Sequence, residues 1–192
     1  MTSILLSTIV CAAALEPLTA RLESLVYLTG SFVQTDYWAL TLDSESTSGT
    51  LHLAHPNLFL LEYDDVPGRA TGCTGDTVFT VDPEFREILV YSGTPTGFLH
   101  ILYGAEEGDV ASVEENGDSL AVTVTGTFDG GIRTITAGYT ISDSLPYTLS
   151  TVDANGNSTR WEIQDLTILQ EAPQVFRLPD LPGYAVVEAG TI

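Results

Sequence analysis

The chain has 192 residues, 44% of them hydrophobic, and a formal net charge of −20 at pH 7. That length and apolar content suit one folded domain and exclude wholesale disorder. Lysine is absent and the basic residues are Arg21, Arg69, Arg86, Arg133, Arg160 and Arg177; they are scattered and form no basic patch, which disfavours nucleic acid and anionic lipid as partners. So acidic a surface fits either a salt-loving source, where screening removes the self-repulsion, or ordinary solubilisation by charge.

Residues 4–14 are an apolar run too short to span a bilayer, and it ends in Ala12-Ala13-Ala14, an A-x-A-like cleavage site. We read residues 1–14 as a secretory signal peptide, although Met1-Thr2-Ser3 supplies no basic n-region; an ordinary helix is the other reading. Cys11 follows the bulky Val10 and is a poor lipidation site. The mature chain, 15–192, is then a single domain. Its one cysteine is Cys73, so no intramolecular disulfide can form.

Leu15, Leu18, Leu22, Leu25 and Val26 recur at helical spacing, Glu16 and Pro17 suit a first turn, and Gly30 is a stop signal. From there the period becomes two. The pattern predicts a long strand from Ser31 to Leu42, then strands over Ser48–His55, Leu58–Asp64, Thr77–Val81 and Glu87–Tyr91. Pro95–Tyr103 carries an apolar stripe of Phe98, Leu99, Ile101 and Leu102 and reads as a short helix. Asp109–Glu115 and Ser119–Thr125 flank Asn116-Gly117-Asp118, a hairpin signal. Gly131–Ser142, Tyr147–Asp153 and Thr159–Leu169 complete the set. About eleven short strands at this spacing predict a mainly β sandwich or barrel. The two helices are available to cover its open mouth, a common place for apolar ligands.

Several segments resemble the periplasmic carriers of outer-membrane lipoproteins, the LolA family. Arg21-Leu22-Glu23 through Gly30-Ser31-Phe32-Val33-Gln34-Thr35 is similar to the family's opening helix and "S-F-x-Q" strand. Ser48-Gly49-Thr50-Leu51 through His55-Pro56-Asn57-Leu58-Phe59 resembles its "G-x-L-x-x-x-R-P-x-x-F" stretch. Gly75-Asp76 through Asp82-Pro83 resembles its "D-G-x-x-x-W-x-Y-x-P" turn and strand, and Thr94-Pro95 its "T-P" helix. Phe176-Arg177-Leu178-Pro179 with Pro182-Gly183-Tyr184-Ala185-Val186 resembles its ending. The segments occur in the family's order over nearly the whole mature chain.

The resemblance implies an unclosed antiparallel β-barrel with an N-terminal helix and a short helix over its concave face. It also implies a monomeric, cofactor-free periplasmic carrier. Such a carrier takes acylated lipoproteins from an inner-membrane exporter and passes them to an outer-membrane acceptor. An envelope lipid-binding or lipoprotein-sensing regulatory domain of the same fold is the alternative. The candidate cavity lining is Phe32, Trp38 and Leu40 on the first strand, then Leu51, Leu53, Phe59 and Leu61 on the next two. Phe79, Leu89, Phe98, Leu102, Tyr139, Leu149 and Trp161 follow later in the chain. Ordinary core is the competing role for each.

Where the family has an arginine that latches the lid, this chain has His55. A histidine offers fewer donors than a guanidinium and changes charge near neutral pH, so a His55 latch implies pH-sensitive opening. An enzyme is disfavoured. His52, His55 and His100 give no H-x-x-x-H pair, and there is no G-x-S-x-G elbow and no phosphate loop. Asp64-Asp65 and Glu106-Glu107 read as solvated turns. Asp153-Ala154-Asn155-Gly156-Asn157 reads as a β-turn, because it lacks the full calcium-loop pattern.

Overall fold

The computed structural model describes residues 15, 17–55, 58–92, 112–128, 131–171 and 174–191. The expected signal peptide and the expected helix Pro95–Tyr103, with Phe98 and Leu102, lie outside the described residues. What is described is a 12-stranded sheet in the order β12-β6-β5-β4-β3-β2-β1-β11-β10-β9-β8-β7. A short helix, α1, precedes it, described at residue 15 and over 17–23.

The strands are β1 Tyr27–Trp38, β2 Asp43–Ala54, β3 Leu58–Tyr63, β4 Ala70–Thr74, β5 Thr77–Asp82 and β6 Glu87–Ser92. Then come β7 Ser112–Asn116, β8 Ser119–Phe128, β9 Gly131–Thr140, β10 Pro146–Asp153, β11 Ser158–Leu169 and β12 Ala185–Thr191. The first half meanders outward from β1, and β11 back to β7 meanders outward on its other side. Every pairing is antiparallel except β12 with β6. β7 and β12 stand at opposite edges and do not pair, so the sheet is unclosed. By lying parallel along β6, β12 takes up a row of backbone groups that would otherwise form an open edge.

Alternation sets the two faces. On β8 and β9, Leu120, Val122, Val124, Ile135, Ala137 and Tyr139 are buried on the face shared with α1. The intervening threonines pair across the outer face, Thr123 with Thr136 at 3.0 Å and Thr125 with Thr134 at 3.1 Å. The Gly117-Asp118 loop between Asn116 and Ser119 is the expected tight hairpin, with Gly117 at φ +64.

The N-terminal boundary differs from expectation. α1 ends where Ser24 and Leu25 donate to the carbonyls of Arg21 and Leu22, and β1 begins four residues before Ser31. Gly30 is not a helix stop; it lies inside the strand. There the register to β11 jumps from Thr29↔Thr167 to Ser31↔Gln164. A Cβ on Gly30 would sit 2.7 Å from the Gln164 carbonyl oxygen, so this bulge needs the missing side chain. Pairing on both sides, to β2 and to β11, outweighs the helical spacing of Leu25 and Val26. Leu25 is still buried, but Val26 is 46% exposed.

Two strands escape the sequence pattern. β4 is Ala-Thr-Gly-Cys-Thr, too small and polar to signal itself; Gly72 makes room for the Phe79 ring, which would meet a Cβ at 2.5 Å. β12 forms only because β6 offers it an edge.

Candidate functional site

Two apolar clusters lie on opposite faces of the sheet. The larger joins Leu15, Leu18, Leu22 and Leu25 to Phe32, Leu51, Leu53, Phe59, Leu61, Tyr139 and Leu149 of β1, β2, β3, β9 and β10. Burying each such side chain is worth roughly 1.5–3 kcal/mol relative to leaving it exposed. Trp161 packs partly buried against the same cluster, its indole Nε1 donating to Gln34 Oε1 at 3.0 Å. Leu89 is partly buried on β6, on the same strand face as Tyr91 and opposite to Ile88.

α1 ends after residue 23 and packs Leu15, Leu18 and Leu22 onto this cluster. Its polar tether across to the sheet is Arg21, whose Nε donates to the Asp143 carbonyl in the β9–β10 turn at 3.4 Å.

Toward the Trp38 end the same face turns polar. Phe32 meets Tyr63 edge-on at 5.5 Å between centroids, and beyond this pair lies a network of hydrogen bonds. Tyr63 and Trp161 both donate to Gln34 Oε1, Gln34 Nε2 donates to Asp36 Oδ2 at 2.7 Å, and Thr159 donates to Asp36 Oδ1 at 2.6 Å. Arg69 lies 4.4 Å over the Tyr63 ring while pairing with Asp65 at 2.9 Å. Burial pushes the Tyr63 phenol up, against a lowering hydrogen bond from Thr71. Open grooves of about 310 Å³ and about 180 Å³ flank Asp36 and Trp38.

Some expected lining residues fall elsewhere. Leu40 is 95% exposed in the β1–β2 turn, because β1 ends at Trp38 and not at Leu42. Trp38, 42% exposed, borders the polar grooves. Phe79 faces the other way. It belongs to the second cluster, with Leu60, Val81 and Ile88, which Val175, Phe176, Leu181 and Tyr184 of the segment before β12 cover. Its neighbour Val78 is the one that packs against the larger cluster.

His55 is exposed in the turn after β2. His52 lies on the outer face. Its ring stacks on Tyr27 with 5° between planes, Nδ1 lies 2.6 Å from the Tyr27 hydroxyl, and Nε2 lies 3.1 Å from Glu62 Oε2. No charge run or motif marked it; the signal was its position across from Thr29 and beside Tyr27 in the β1–β2 ladder.

Of the carboxylates expected in turns, Asp64-Asp65 follow β3 and Asp153 closes β10, while Glu106-Glu107 lie outside the described residues. Asp64 accepts from Ser48 at 2.8 Å. Asp153 accepts from the backbone N–H groups of Asn155 and Asn157 and from the Asn157 amide, which holds its carboxyl below the usual range. Cys73 is buried, and desolvation pushes its thiol up. Among the described residues no group of three or more His, Cys, Asp or Glu could hold a metal ion. No described helix is long and apolar enough to cross a membrane.

The family model described as outer membrane lipoprotein carrier protein LolA matches residues 23–178. No curated protein matches the chain. Among solved structures, an uncharacterized conserved protein from Thermus thermophilus is similar with a TM-score of 0.55 at 12% identity, covering 93% of this chain and 99% of that one. A LolA superfamily protein from Nitrosomonas europaea is similar with a TM-score of 0.51 at 11% identity, covering 87% and 97%. At these identities the structural likeness shows the fold alone.

Proposed function

The chain belongs to the LolA family of outer membrane lipoprotein carriers, and on that premise we propose that it shelters the acyl chains of a lipid-modified client against the α1-covered face of the sheet and passes the client toward the outer membrane. Carriers of this family are not enzymes. The observation that carries the reading is the broad apolar face that Leu15, Leu18 and Leu22 of α1 share with Phe32, Leu51, Leu53, Phe59 and Leu61 of the sheet. When α1 is displaced, acyl chains can take over the apolar surface its leucines cover and so offset the cost of exposing it.

The energetics suit a carrier. Burying acyl chain is worth roughly 0.8 kcal/mol per CH₂, enough to hold a long chain too firmly for release. Reclosure of Leu15, Leu18, Leu22 and Leu25 onto the same surface competes with the ligand and lowers the net affinity. In this reading the location is the periplasm and the partners are an inner-membrane exporter and an outer-membrane acceptor, as the likeness to the family suggests. His55 is placed in this reading as a residue of the lid latch.

The test is uptake of an environment-sensitive acyl fluorophore by wild type, Leu53→Glu and Phe59→Glu, with mass spectrometry of co-purified lipid. Loss of uptake in folded variants is the expected result. Unchanged binding in both removes this face as the acyl site.

A further inference from the structure

The larger cluster contains a polar atom with nothing to bind. Tyr139 is fully buried, and its hydroxyl makes no hydrogen bond to any described residue. Among the described residues only the Thr47 hydroxyl shares that state. Buried polar groups are ordinarily paired, and an unpaired one is unfavourable. A phenylalanine would fill the same space beside Leu120 and Pro146 without that disadvantage.

We propose that Tyr139 is a carbonyl anchor, its hydroxyl donating to the ester or amide carbonyl at the head of an acyl chain that enters this cluster. The inference rests on the acyl-shelter reading and adds a ligand class to it. A carbonyl is a neutral acceptor, and the surroundings ask for neutrality. The members of the cluster are apolar apart from Tyr139 and Cys73, so nothing in it would offset a buried carboxylate. Burial also raises the phenol's own pKa, which keeps it a donor. The location fits a chain's head group. Tyr139 is the penultimate residue of β9, close to the β9–β10 turn, which is reached by the Arg21 tether of α1. A head group anchored there lies next to the margin of α1, while the chain runs on over Leu149 and Phe32. An acylated ester or amide is therefore held in one direction, and a plain hydrocarbon is not.

The experiment compares the full-length wild type with Tyr139→Phe. Diphenylhexatriene, a hydrocarbon fluorophore, is displaced by methyl palmitate, by octadecane and by palmitate, and the melting temperature of each ligand-free protein is recorded. The anchor predicts that the variant binds methyl palmitate roughly five- to tenfold more weakly while octadecane is unaffected. It also predicts that the melting temperature does not fall, because no internal hydrogen bond is lost, and that wild type prefers methyl palmitate to palmitate. Equal losses for ester and hydrocarbon overturn it in favour of a change in cavity shape. A melting temperature lowered by several degrees overturns it in favour of an internal partner. Failure of wild type to take up the fluorophore or any competitor overturns the acyl-shelter reading itself, and the anchor with it.

Discussion

The hydroxyl of Tyr27 lies 2.6 Å from His52 Nδ1, and the two rings stack with centroids 6.0 Å apart. Phe176 meets Tyr27 edge-on from the segment before β12. The pair thus ties the start of β1 to β2 and gives the C-terminal segment a surface to dock on. A Tyr27→Phe variant keeps both ring contacts and loses only the hydrogen bond, leaving His52 Nδ1 with the Thr29 hydroxyl at 3.3 Å. We expect a loss of about 0.5–1.5 kcal/mol in urea unfolding, with an unchanged slope. A larger loss, or a changed slope, would mean that the C-terminal segment detaches with it.

Leu22 is 1% exposed and is the most buried residue of α1. Leu22→Ala should cost about 2–5 kcal/mol if the cluster cannot collapse around the gap. Under the carrier reading it should also tighten uptake of an acyl fluorophore, because it weakens the closed state with which the ligand competes. Weaker uptake in a folded Leu22→Ala protein would instead make Leu22 part of the ligand contact.

Gly49 sits where β2 crosses β3, and a Cβ there would overlap the Glu62 carbonyl oxygen and lie 2.9 Å from the Phe32 ring. Neither a backbone carbonyl nor a buried ring can move away freely. Gly49→Ala should therefore destabilise by about 1–3 kcal/mol or more, the range for overpacking. Chemical unfolding measures it, and a neutral effect would show that β2 and β3 separate more easily than their register implies.

How far the sequence disclosed this depended on whether the local signal and the tertiary demand agreed. The Asn116–Ser119 hairpin was legible because a glycine stands where a positive φ is needed. β4 was not, since nothing in Ala-Thr-Gly-Cys-Thr is strand-like until Phe79 packs on Gly72. Gly30 looked like a helix terminator, and only the β11 register reveals it as the partner of a bulge. For the larger cluster, the burial of Phe32, Leu51, Leu53, Phe59 and Leu61 on one face is legible from alternation. That Phe79 joins the second cluster and Val78 the larger one is not legible, because both are apolar and a strand covered on both faces carries no facing signal. The unpaired hydroxyl of Tyr139 has no sequence signature at all.

Asp153 provides a pH prediction. Hydrogen bonds from Asn157, and from the backbone of Asn155 and Asn157, favour its charged form in the folded state only, so its folded pKa lies below the unfolded one. The stability it contributes is fully present above the unfolded carboxylate pKa and is lost as pH falls through the folded value. Asp153→Ala should therefore narrow the stability difference between pH 6 and pH 3 relative to wild type. A difference that stays the same would show that the turn 154–157 holds together without the carboxylate.

Charge gives the last prediction. With a net charge of −20, folding draws like charges together, and on the Trp38 end Asp36, Asp43, Glu45, Asp64, Asp65 and Asp153 come from separate strands and turns. Among the described residues, Arg69–Asp65 at 2.9 Å and Arg160–Glu162 at 3.2 Å oppose this repulsion; both are solvent-accessible, and such pairs contribute about 0–1 kcal/mol each. Salt weakens attraction and repulsion alike, but repulsion is the larger sum here. Raising sodium chloride from 0.1 M to 1 M shortens the Debye length from about 10 Å to about 3 Å, and the urea midpoint should rise. Charge-neutralising Glu45→Gln should raise the midpoint at low salt and lose that advantage at 1 M. A midpoint that falls with salt would mean that the arginine pairs, and not the surplus of carboxylates, govern the electrostatics of this fold.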